Sequence, residues 1–175
     1  MKTRYPNAQW MAADPSNYRK GRKARVSLVV IHITSGRSKA LPVARMWQKA
    51  SHKSSAHFVI DQDGSIIQAI DTEDTAWHAS NANSYAVGIE HCAREPNEPA
   101  FPKGDPGLPV SDAQYASSAK LTAWLLKQYG LPANRDHVKG HCEVDTVTTH
   151  TGCPNSIWDW DRYMPMVESE LAALA

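Results

Sequence analysis

The hydrophobic pattern divides the chain into a few legible elements. Val26–Ile33 (VSLVVIHI) is a continuous, mostly β-branched apolar run, which predicts a central strand buried on both faces; Ser35–Gly36 ends it. In Ala40–Ala50 (ALPVARMWQKA), Val43, Met46, Trp47 and Ala50 fall on one helical face, and Pro42 sits in the first turn, where its missing N–H costs little. Ala56–Ile60 and Ser65–Ile70 flank Asp63–Gly64, the pattern of a hairpin. Tyr85–Ala93 (YAVGIEHCA) predicts a strand with Val87, Ile89 and His91 on one face and Ala86, Gly88, Glu90 and Cys92 on the other. Ser111 and Gln114 form a capping box that opens a helix in which Tyr115, Ala119, Thr122, Leu126 and Tyr129 recur at helical spacing, and Gly130 stops it. A last helix covers Trp158–Leu174, kinked or restarted near Pro165.

The segment 94–110 is rich in proline and glycine, a long connection of the kind that is functional or disordered. Residues 1–24 are polar, with a basic cluster at Arg19–Lys23 (RKGRK). They read as an irregular lead-in that wraps the domain, a nucleic-acid-binding tail being the sharper alternative. Strands followed by helices, with a hairpin between, predict the α/β class: a single domain with a mixed central β-sheet flanked by helices, residues 26–175 forming the domain and 1–25 an N-terminal extension.

Composition narrows the partners. A length of 175 residues suits one domain with one good core. The net charge of +1 gives no overall field toward nucleic acid or an anionic membrane. Three cysteines, Cys92, Cys142 and Cys153, are too few for a disulfide framework and suggest a reducing place of synthesis. No apolar run precedes Val26, so no secretory signal is expected, and VSLVVIHI is too short to span a bilayer. A monomer is the default expectation.

Several side chains carry candidate chemistry. His32 lies inside the most apolar strand, where an imidazole is either a satisfied core residue or a ligand. His141 lies in VKGHCEVD, and Cys153 follows twelve residues later, before Pro154. Two histidines and a cysteine on one zinc ion leave a fourth position open, the arrangement of a hydrolytic site. Glu90, flanked by apolar residues, is either the solvated residue of an edge strand or a buried general base. Trp77 and His78 place an aromatic beside a donor, which suits a substrate groove, and Asn83 in the same stretch joins them as a binding candidate. His57 reads as a core residue or a support for the site.

VVIHIT, SAHFVIDQDGSIIQ, DTAWHASNANSYAVGIEHC, VKGHCEVD and TGCPN occur in the order and spacing of a known family. From about Val26 to Tyr163 the chain resembles the zinc-dependent N-acetylmuramoyl-L-alanine amidases of type two, a group that includes phage endolysins and is related to the peptidoglycan recognition proteins. The resemblance implies one catalytic Zn2+ held by His32, His141 and Cys153, with Glu90 as catalytic glutamate. Many members carry a lysine two residues before the cysteine; here it is Thr151, so transition-state support would come from a hydroxyl, with His150 beside it as a substitute. A tyrosine that some phage members place just before the hairpin histidine is Ala56 here, which shifts the burden toward Glu90.

The implied reaction is hydrolysis of the amide between N-acetylmuramic acid and L-alanine of bacterial peptidoglycan. The setting expected is a phage endolysin, made in the host cytoplasm and acting on the wall after release, without nucleic acid or membrane insertion. A cytoplasmic amidase that recycles muropeptides and a non-catalytic wall-binding module are the alternatives. A thiol peptidase with Cys153 as nucleophile and His141 as base is a further one; it leaves His32 and Glu90 without roles.

Overall fold

A computed structural model describes residues 3–36, 39–148 and 152–175. In chain order it contains β1 (Gln9–Trp10), β2 (Tyr18–Arg19), β3 (Leu28–Ile33), α1 (Ala40–Trp47), β4 (Phe58–Ile60), β5 (Ile66–Gln68), β6 (Thr75–Ala76), β7 (Ala86–His91), α2 (Asp112–Tyr129), β8 (Val138–Gly140), α3 (His141–Val144) and α4 (Trp160–Ala173). Six strands form one mixed sheet in the order β1-β5-β4-β7-β3-β8, and β2 pairs with β6 apart from it. β7 is parallel to both β3 and β4, β3 is parallel to β8, and the β4–β5 hairpin is antiparallel.

The alternation read in the sequence sets the two faces. Val29, Ile31, Val87 and Ile89 pack against α2 and α4 through Leu121, Leu125, Tyr163 and Val167. Leu121, Leu125 and Leu126 are fully buried, each burial contributing about 1.5–3 kcal/mol. On the opposite face Val43, Ala44 and Trp47 of α1 cover Val59, Ile67 and Cys92. Because β7 runs between β4 and β3, the edge-strand reading of Glu90 does not hold. The strand is interior, and Glu90 is a carboxyl side chain at the end of a buried run.

The capping box of α2 forms as expected: Ser111 Oγ accepts from the Gln114 amide, and Gln114 Oε1 accepts from the Ser111 amide. Gly130 ends the helix in the left-handed region, at φ 66°. Other elements differ from expectation. α1 stops at Trp47, and Ala50 is exposed, because Ser51 and Lys53 take positive φ and turn the chain away. α4 starts at Trp160 with Asp159 as its cap and runs through Pro165 as one element. His141 and Cys142 lie in the short helix α3.

The lead-in is partly regular. β1 extends the sheet beside β5, and Tyr18–Arg19 pair with Thr75–Ala76. The segment 94–110 is tied together too. Arg94 and Leu108 exchange backbone hydrogen bonds of 2.8 and 2.9 Å, and the buried Arg94 guanidinium lies 2.6 Å from Asp105. No helix among the described residues is long and apolar enough to cross a membrane.

Candidate active site

The site is built on the carboxyl ends of the central parallel strands. His32 and Glu90 are register partners on β3 and β7, so their side chains leave the sheet on one face as neighbours. His32 Nδ1 lies 3.9 Å from Glu90 Oε1. β8 flanks β3 on its other side, and its end at Gly140 delivers His141 as the first residue of α3. Cys153 comes from a connection remote in sequence and lies across the end of β3. Its Sγ accepts from the Ile33 amide at 3.4 Å, and its carbonyl accepts from the Cys142 amide at 2.8 Å. The Cys153–Pro154 peptide bond is cis.

One ligand atom from each of His32, His141 and Cys153 lies within 4.8 Å of the others. A tetrahedral ion with bonds of about 2.0–2.3 Å spaces its donors about 3.3–3.8 Å apart, so a small closing of the side chains completes the set. Two imidazoles and a sulfur are a donor set suited to zinc. Glu90 Oε2 is enclosed and without a hydrogen-bond partner among the described residues. An enclosed oxygen of this kind asks for a partner from the cleft. Cys142 does not join the cluster, and all three cysteines are free thiols.

Both imidazoles are held from behind. Asp145, one helical turn after His141, places Oδ2 3.0 Å from His141 Nε2. His78 Nδ1 lies 2.9 Å from His32 Nε2. With Nε2 engaged in each ring, Nδ1 is the nitrogen each would give an ion, and the partner behind it sets the tautomer. Asp145 is itself fixed by the Thr148 hydroxyl and by the amides of Val147 and Thr148. Although burial pushes its carboxyl up, these hydrogen bonds and His141 hold it well below the usual range. Burial, with His141 and Arg22 nearby, pulls His78 down to about 3, so this ring stays neutral.

Burial pushes the Glu90 carboxyl up to about 8. It also raises the Cys153 thiol strongly, with Glu90 adding to the effect. A divalent cation beside these groups inverts that logic and favours both anions.

Gly88, register partner of Val30 on β7, leaves the room that His78 occupies. A Cβ there would lie 2.6 Å from His78 Cγ and Nδ1. His57 is fully buried and accepts the Gly88 amide on Nδ1 at 3.0 Å. It therefore supports the strand from the β4 side.

The cluster opens into a cleft of about 480 Å³ whose lining includes Trp47, Lys53, Trp77, His78, Asn83 and Glu90. The three substrate-binding candidates thus all face the cleft, but two of them have structural duties. His78 supports His32, and Asn83 Oδ1 accepts the amides of His78 and Ala79 at 2.9 and 2.7 Å. Thr151 and His150 lie outside the described residues. Asp145 and Gly88 belong to the site without carrying a motif of their own; their signals in the sequence are that Asp145 stands four residues after His141 and that an interior strand glycine marks a close approach.

A family model described as N-acetylmuramoyl-L-alanine amidase matches residues 22–156. The 1,6-anhydro-N-acetylmuramyl-L-alanine amidase AmpD of Haemophilus influenzae is 31% identical over 122 residues, which cover 65% of this chain and 59% of that protein. The chain thus spans about three fifths of the length of this relative. N-acetylmuramoyl-L-alanine amidase A of Achromobacter lyticus is 37% identical over 128 residues, covering 73% of this chain and 66% of that one. The catalytic domain of XlyA has the same fold: TM-score 0.70 at 20% identity, over 92% of this chain and 99% of that chain.

Proposed function

The chain belongs to the N-acetylmuramoyl-L-alanine amidase family, and from that premise we propose that it hydrolyses the amide between N-acetylmuramic acid and the L-alanine of peptidoglycan, with one Zn2+ held by His32, His141 and Cys153. The observation that carries this reading is the convergence of those three side chains, from β3, α3 and a remote connection, to within 4.8 Å beside Glu90.

Zinc, when bound, supplies a Lewis acid that polarises the scissile carbonyl and acidifies water. Glu90 takes a proton from the attacking water as the C–O bond forms. It returns that proton to the nitrogen as the C–N bond breaks, so the alanine leaves as a free amine. Burial makes the Glu90 carboxyl more basic than an exposed one, while beside the bound cation it stays anionic before the reaction, so it can take the proton and then release it near neutral pH. His78 and Asp145 keep the two imidazoles oriented while the cleft fills. Trp77 offers an apolar wall to the substrate, and the Thr151 hydroxyl donates to the developing oxyanion. The thiol-nucleophile alternative is less well supported, because burial pushes the Cys153 thiol strongly up, away from the reactive thiolate, and it leaves His32 and Glu90, which stand beside it, without roles.

Intact wall is the proposed substrate and an endolysin the proposed setting, the protein acting as a monomer. The similarity to 1,6-anhydro-N-acetylmuramyl-L-alanine amidases favours a second reading, turnover of soluble anhydromuropeptides. One experiment separates them: turbidity loss of purified walls against cleavage of soluble anhydromuropeptides, each with and without chelator and with zinc added back. Loss of turbidity that chelator abolishes and zinc restores is the expected result. Cleavage of the soluble substrate alone establishes the second reading. Chelator-resistant activity, or no activity on either substrate, refutes the zinc amidase.

A further inference from the structure

A second cavity, of about 370 Å³, lies immediately beyond Trp77 and shares Trp77, Ser80 and Asn83 with the cleft of the His-His-Cys cluster. Its lining contains two cations, Arg19 and Lys23, and no carboxylate; the remainder includes Tyr18, Asn81 and Ser84. Neither cation forms an ion pair among the described residues. Lys23 is exposed and Arg19 half-buried.

The placement is built into the fold. β2 pairs Arg19 with Thr75, two residues before Trp77. Arg19 donates to Thr75 Oγ1 at 3.1 Å, and Thr75 Oγ1 donates to the Gly21 carbonyl at 2.7 Å. Gly21 turns the chain at φ 73°, and its amide donates to Asp74 Oδ1 at 2.7 Å. The lead-in is therefore pinned along the cavity, with one guanidinium and one ammonium beside an aromatic wall.

We propose that Arg19 and Lys23 form an anion-reading subsite, and that it receives a free carboxylate on the stem peptide of the substrate whose amide lies at Glu90. The inference rests on the amidase reading. Because the cavity adjoins the cleft, its ligand is a group carried by the same substrate. A peptide supplies carboxylates, which a guanidinium fork and an ammonium bind by charge-assisted hydrogen bonds. The chain has almost no net charge, so such a local pair confers selectivity without general attraction to polyanions.

The test uses two soluble muropeptides that differ only in whether the stem-peptide carboxylates are free or amidated. They are assayed with the zinc-loaded parent protein and with Arg19→Gln, Lys23→Gln and the double variant. The parent is expected to show roughly tenfold lower KM for the free acid, an advantage that shrinks as salt is added. The double variant raises KM for the free acid to that of the amidated form and leaves kcat unchanged. Lys23 makes no hydrogen bond with the rest of the fold among the described residues, so Lys23→Gln reports on the subsite even where replacing Arg19 disturbs β2. Equal KM for both substrates in the parent, or variants that weaken both substrates alike, overturn the subsite alone. No hydrolysis of either substrate by the parent overturns the amidase reading and the subsite with it.

Discussion

Replacing Gly88 with alanine puts a methyl group where the His78 ring now lies. The added Cβ would stand 2.6 Å from His78 Cγ and Nδ1 and 2.8 Å from Cε1. The ring must retreat by about 1 Å to restore ordinary contact distances. That shift breaks the 2.9 Å hydrogen bond between His78 Nδ1 and His32 Nε2. Two effects compete. In a strand interior alanine is favoured over glycine by about 0.5–1 kcal/mol, whereas overpacking a close-packed site costs about 1–3 kcal/mol and the lost hydrogen bond about 1 kcal/mol. The steric effect wins, for a net destabilisation of about 1–3 kcal/mol. In a domain of this size that lowers Tm by about 3–10 °C. Zinc affinity should also fall by about 10–100-fold, the usual consequence of releasing the group behind a metal-ligating histidine. Thermal melting by circular dichroism and competition for zinc with a chromophoric chelator measure the two effects. In a His78→Ala background the clash is gone and Gly88→Ala should become neutral or stabilising. A single variant that melts at or above the parent and holds zinc equally well would refute the reasoning.

Three further outcomes follow from buried groups. Asp145→Ala removes the carboxylate behind His141 and should weaken zinc binding about 10–100-fold; an unchanged chelator-competition curve would show that Asp145 does not hold the ring. Tyr163→Phe removes a fully buried hydroxyl lying 2.8 Å from both Ser118 Oγ and Thr122 Oγ1. It should cost about 1–3 kcal/mol, read as a lower urea midpoint at constant slope; an unshifted midpoint contradicts it. His91 is fully buried, and burial pulls it down to about 4 from an ordinary 6.5. Between those values the unfolded chain binds a proton that the folded chain does not. The contribution is therefore fully present above pH 6.5 and is lost as pH falls toward 4, by roughly 3 kcal/mol in all. Urea midpoints measured from pH 7 to 4.5 should decline, less steeply in His91→Gln; equal slopes in the two proteins would show that another group carries the acid sensitivity.

The sequence by itself determined which residues line each face and where several elements begin and end. Alternation in Tyr85–Ala93 put Val87 and Ile89 on one face and Glu90 on the other, and the structure packs the first two into the core with α2. The capping box at Ser111–Gln114 and the stop at Gly130 were equally legible. These features are local: a period of two or 3.6 residues and a cap are written within one element. The family motifs already implied that Cys153 joins His32 and His141; only the tertiary structure decided that β7 is interior, that β3 lies between β7 and β8, and that Cys153 reaches the pair across the end of β3. Only it placed Asp145 and His78 behind the two imidazoles, gave Gly88 its reason, and carried Arg19 to the far side of Trp77. Strand order and convergence depend on contacts between segments far apart in the chain, where loop closure and the packing of whole layers set the geometry. No periodicity within a single element encodes those distances.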